Sequence, residues 1–135
     1  MKKTVSFILL CAMLLAVCSC GGKTAGAAVI DVDSEIYTKK EILAAVKVAE
    51  SYFSRHFAGC TLTEIYYAGD ESTEQAKSFA VQYGADEAII LKSTFNVDES
   101  GASPSLNPGS TYKNWMWILV RNGKGAWKHV DHGYG

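Results

Sequence analysis

Residues 112–132 read YKNWMWILVRNGKGAWKHVDH, and this stretch decides the fold. It carries all three tryptophans, Trp115, Trp117 and Trp127, on the most β-prone run of the chain. Asn122-Gly123-Lys124-Gly125 supplies residues that accept positive φ, as hairpin turns require. Closing the turn on Asn-Gly alone would set Arg121 opposite Lys124, an unfavourable pair of like charges. A longer loop over residues 122–125 is therefore expected. In the strand before it, Trp115 and Trp117 fall on one face, and Met116, Ile118 and Val120 on the other. Both faces are apolar. One face must meet a helix, and the other needs a second cover, a ligand or a partner.

The residues upstream supply a sheet for this hairpin and helices to cover it. Thr38-Lys39-Lys40-Glu41 is a capping box, in which the threonine oxygen takes the Glu41 N–H and the glutamate reaches back. Ile42, Val46, Ala49, Phe53 and Phe57 follow at spacings of three and four, predicting a long helix over residues 38–57 that Gly59 stops. Residues 60–68 (CTLTEIYYA) predict a strand ended by Gly69-Asp70. A second, shorter helix is expected over residues 72–83. Ser72 and Gln75 are its capping pair, Ala76, Phe79, Ala80 and Tyr83 its apolar face, and Gly84 its end. Residues 86–98 predict a strand whose continuously apolar centre, Ala88-Ile89-Ile90-Leu91, suits burial on both faces. Residues 99–110 hold both prolines and form a loop of a length often reserved for function. The order is helix, strand, helix, strand, strand, strand. Its simplest reading is an α+β domain: a long amino-terminal helix and a second shorter one packed on a four-stranded antiparallel twisted sheet.

The amino terminus states an address. Lys2 and Lys3 precede an apolar run over residues 5–17, too short to cross a bilayer comfortably and followed by small residues, so it reads as a secretory signal. Val17-Cys18-Ser19-Cys20 resembles the bacterial lipobox: Val17 at the aliphatic position, Ser19 at the small one, Cys20 at the acylated one. The resemblance implies cleavage after Ser19 and anchoring of Cys20 to the lipid bilayer, outside the cytoplasmic membrane, by two or more acyl chains such as palmitate. Residues 20–33 then form a lipidated tether, to which Val29, Ile30 and Val32 are able to add a short edge strand, and residues 34–135 a single domain. The mature chain of roughly 115 residues is long enough to bury a core without disulfides. Cys60 is left without a partner and reads as a buried small hydrophobe. Loss of Lys2 and Lys3 leaves a mildly acidic chain with no basic stripe, which gives no support for a nucleic-acid partner.

Three phrases, TKKEILAAVKVAESYF, GADEAIIL and LNPGSTYKNWMWILVRNGKGAWKHVDHGYG, resemble a family of small bacterial extracytoplasmic lipoproteins of unknown function. A long first helix, a twisted antiparallel sheet and a terminal tryptophan-bearing hairpin also resemble the nuclear transport factor 2-like (cystatin-like) superfamily. The resemblance to the lipoprotein family covers residues 34–134, and the likeness to the superfamily implies a pocket between the concave sheet face and the helices, which serves enzymes and plain binders alike.

No motif states a chemistry. Trp115, Trp117 and Trp127, extended by Tyr66 and Tyr112 (and by Tyr67), offer an aromatic wall for a ligand or partner; packed under the helix they are core instead. His129 and His132 are three apart, so on a regular strand they face opposite ways, while His129 and Asp131 share a face. No metal or cofactor is expected from that spacing. No serine lies in a Gly-x-Ser-x-Gly context, and no glycine loop opens a helix for phosphate. The reading favoured is a non-catalytic binding or interaction module whose partner is a protein, a wall component or a small ligand. The alternative is a pocket-type enzyme of the superfamily using Asp131 and His129 as acid and base.

Overall fold

The computed structural model describes residues 21–134, so the expected signal segment and the expected acylation site, Cys20, lie outside the described residues. Among the described residues five strands and two helices follow one another: β1 (Ala28–Ile30), α1 (Lys39–His56), β2 (Cys60–Tyr67), α2 (Thr73–Gln82), β3 (Glu87–Val97), β4 (Thr111–Arg121) and β5 (Lys128–Gly133). The sheet runs in the order β1-β2-β3-β4-β5. The α+β class is as expected, but the sheet is mixed and five-stranded. Strands β2 to β5 are antiparallel neighbours, and β1 adds a parallel edge, with Ala28 beside Glu64 and Ile30 beside Tyr66. The stretch expected as a tether is therefore fixed to the sheet. Lys23 bonds across to β2, its N–H donating to the Cys60 carbonyl and its carbonyl accepting from Leu62 N, each at 2.9 Å.

Helix α1 begins as the sequence requires. Thr38 Oγ1 accepts the Glu41 N–H, and Glu41 Oε1 accepts the Thr38 N–H, both at 3.1 Å. Such a cap contributes about 1 kcal/mol. The stripe Ile42, Val46, Ala49, Phe53 and Phe57 is buried, together with Ala45. Gly59 stands at φ +76°, where a β-carbon would come within 2.8 Å of Asp98 Oδ1; the turn out of α1 admits only glycine there without strain.

The second helix departs from expectation at its cap, and its place on the sheet is one the sequence left open. Ser72 does not cap α2; its hydroxyl donates back to the Gly69 carbonyl at 2.6 Å, within a 3₁₀ turn over Asp70–Ser72. More consequentially, α2 takes the opposite face of the sheet from α1. The α1 side packs Phe53, Phe57, Ile89, Leu91, Phe95, Trp115, Trp117 and Leu119, whereas the α2 side packs Ala76 and Ala80 on Ala88, Ile90, Met116, Ile118 and Val120. The second apolar face of β4 thus meets a helix, and the three-layer arrangement explains why both faces of β3 and β4 are apolar.

The hairpin loop is longer than expected. Val120 pairs with Lys128, so the connection spans residues 122–127 and Trp127 leaves the strand. The loop is held by Asp86, whose N–H donates to Asn122 Oδ1 at 3.0 Å and whose carboxylate accepts Gly123 N at 2.8 Å. Trp127 folds under α1, edge-on to Tyr37 at 5.9 Å, with the Arg121 guanidinium 4.1 Å over its ring.

Candidate functional site

The β4–β5 ladder contains a bulge. Leu119 pairs with His129 but Ile118 with Asp131, so Val130 is an extra residue. Side chains beyond it are turned by one position. His129 and His132 consequently face the same side, opposite Leu119 and Trp117, with His129 Nε2 and His132 Nδ1 3.1 Å apart. Asp131 is turned away to the α2 side, where Tyr83 Oη donates to it at 3.2 Å. This reverses the expected arrangement: the two histidines converge, and His129 and Asp131 do not.

Helix α1 brings the remaining groups. Tyr52 and His56, one turn apart near its carboxyl end, have rings 4.3 Å from each other. The Tyr52 ring also stacks on His129 at 3.9 Å. All three histidines of the chain thereby gather around one tyrosine. His132 lies between aromatic rings, 5.9 Å from Trp115, 5.3 Å from Trp117 and 5.3 Å from Phe57. Beside this cluster opens a notch of about 150 Å³. Tyr52, His56, Phe57, Trp115 and His132 form its aromatic walls, and Ser103, Ser105 and Leu106 of the β3–β4 loop form its rim. That loop is pinned in place: Ser103 Oγ donates to the Ala58 carbonyl at 2.7 Å, and Asn107 N donates to Tyr112 Oη at 3.0 Å.

Burial disfavours the charged form of His129 and His132. Burial pushes the His129 pKa down to about 4, and the charge of a protonated His132 would push the same way. Burial lowers that of His132 as well, against the pull of Asp131. A histidine depressed below its ordinary value of 6.5 is neutral when folded yet protonates in the unfolded chain. Its stabilising effect is full above pH 6.5 and is lost as the pH falls toward 4. The unfolding temperature should therefore fall on acidification across that window, and His129→Gln should flatten the slope. A slope unchanged in the variant would remove His129 as its source.

Of the six aromatic residues expected to form one binding wall, the structure brings only Trp115 to the notch. Tyr112 stands behind it, stacked on Phe95 at 5.2 Å. Trp117 is fully buried beneath, its indole donating to Ser93 Oγ at 2.8 Å. Trp127 lies at the other end of α1, and Tyr66 on the α2 side, where it donates to Asn114 Oδ1 at 3.2 Å. No partner among the described residues accepts the buried indole N–H of Trp115 or Trp127. Cys60 is buried, and burial pushes its thiol up, away from reactivity at neutral pH. Tyr52 is the residue sequence reasoning missed; its spacing of four from His56 was the available signal.

Among the described residues no group of three or more His, Cys, Asp or Glu side chains is arranged to hold a metal ion. No helix among them is long and apolar enough to cross a membrane. No protein-family model matches the chain, nor does any curated protein or solved structure compared with it.

Proposed function

We propose that the chain is an extracytoplasmic module, anchored to the membrane through acylated Cys20, that binds a partner without catalysis at the notch beside the histidine–tyrosine cluster. The observation carrying this reading is the convergence of Tyr52, His56, Trp115 and His132, from three separate elements, around one open hollow. Its size decides what it takes. Ligand pockets for metabolites commonly hold roughly 300–1,000 Å³, and this notch is about half the lower bound. It fits one protruding side chain or a fragment of similar size, gripped by aromatic faces, imidazole nitrogens and serine hydroxyls.

The alternative, acid–base catalysis by Asp131 and His129, gains no support from side chains on opposite faces of β5. The binding reading is tested on intact cells with a photocrosslinking residue at Ser105. A discrete adduct is expected, reduced at least several-fold by His56→Ala. Equal adducts from a crosslinker at exposed Val81, or none at Ser105, would remove the notch as the binding site.

A further inference from the structure

We infer that the side of the molecule formed by α1 and the amino-terminal segment lies directly against an anionic bilayer surface. The inference rests on the proposed acylation of Cys20 and adds what the fold then imposes. Gly21 is already packed on the helix: a β-carbon on it would stand 1.8 Å from the Ser54 carbonyl oxygen, and one on Gly22 would stand 2.5 Å from the Phe53 ring. Lys23 is bonded to β2. The acylated residue is therefore one peptide unit, about 3.8 Å, from a residue fixed on the domain. No slack remains to hold the domain away from the lipid.

The contact point lies on a particular stripe of α1. Ser54, Glu50, Lys47 and Leu43 recur at spacings of four, three and four, which places them on one face running about 16 Å along the helix. Between that face and β1 is an apolar groove of about 570 Å³, floored by Val46 and walled by Val29, Leu43 and Ala44. Val29 and Leu43 are 42% and 46% exposed, and neighbouring Ile30 is 43% exposed. Lys40 and Lys47 border the groove and make no ion pair among the described residues. Glu50 is the acid in its lining, and burial pushes its carboxyl up against the opposing pull of Lys47. Exposed aliphatic side chains flanked by free lysines, beside a lipid attachment point, match an anionic headgroup region over its acyl boundary.

The test uses the full chain, purified from membranes and reconstituted in phosphatidylcholine–phosphatidylglycerol vesicles. A polarity-sensitive dye is placed at Leu43→Cys or, on the opposite side of the sheet, at Val81→Cys. Emission at position 43 should shift to the blue and be quenched by brominated lipid several-fold more than at position 81. Lys40→Glu with Lys47→Glu should reduce that quenching. Equal quenching at both positions, or none at 43, overturns the inference. A blue-shifted dye that bromolipid does not reach would give the groove to the protein's own acyl chain, and a disulfide between two Leu43→Cys chains would give it to a second copy; either overturns it too. The mass of the amino-terminal peptide separates the two readings. An unacylated Cys20 ends the anchor and this surface together, whereas an acylated Cys20 with an unquenched position 43 ends this surface alone.

Discussion

Arg121→Met should destabilise the domain by roughly 3–5 kcal/mol, the usual cost of removing one partner from a buried ionic network. The Arg121 side chain is only 4% exposed and lies between two carboxylates. It donates to Glu41 Oε2 at 2.5 Å and to Glu87 Oε2 at 2.7 Å, while its guanidinium covers Trp127. Without it, two acids remain facing each other over an uncovered indole. The same Glu41 carboxylate caps α1, so the network joins the start of the long helix to β3 and β4. The Arg121 hydrogen bond, aided by the Thr38 N–H, holds the Glu41 pKa down to about 2. A carboxylate depressed below its ordinary 4.5 contributes stability that is present above that value and lost as the pH falls toward 2. Urea denaturation of Arg121→Met at neutral pH checks the first claim. Adding Glu41→Gln and Glu87→Gln to that variant should recover part of the loss, because the uncompensated charges are gone. A single variant within about 1 kcal/mol of the parent would mean that the network is solvated and contributes like a surface pair.

The contrast between α1 and β5 shows what sequence conveys here. Capping residues and a stripe of large side chains act within one helix, so the bounds of α1 were legible to within a residue. The face that α2 covers was not. Its buried contacts are Ala76 and Ala80, which mark an apolar stripe but do not say which side of the sheet receives it. The candidate site was hidden by a single extra residue. Alternation along a strand assumes an unbroken ladder, and Val130 breaks it, bringing His129 and His132 together and sending Asp131 to the far side. A bulge is set by the partner strand and the packing around it, and no local residue pattern near Val130 announced it. β1 was visible only as three β-prone residues at the end of a Gly/Ala-rich stretch; three residues are too few to reveal a period or a parallel partner. Trp127 lies in a loop longer than residues 122–125 because that loop is held by Asp86, 36 residues before Asn122, which no local pattern conveys.

Trp117→Ala should cost about 3–5 kcal/mol, the range for truncating a large aromatic in a packed core. The ring has no exposed surface and packs against Tyr52 and Phe53 of α1 and Phe57 at its carboxyl end. Its removal also strips Ser93, itself fully buried, of the indole donor at 2.8 Å. Trp117→Phe separates the two contributions. Phenylalanine retains most of the packing but leaves the serine oxygen without that donor, so its loss should approach the roughly 1–3 kcal/mol of a broken buried hydrogen bond. The functional consequence follows from position. His132 pairs with Trp117 across the ladder and rests against its ring, so the indole is the floor on which one wall of the notch stands. Trp117→Ala should therefore weaken crosslinking from Ser105 along with stability, while His56→Ala should weaken crosslinking with little change in the unfolding midpoint. Thermal unfolding of Trp117→Ala that barely shifts would overturn this assignment. It would make the ring a replaceable surface group, and the binding wall would then have to be sought along β4 itself.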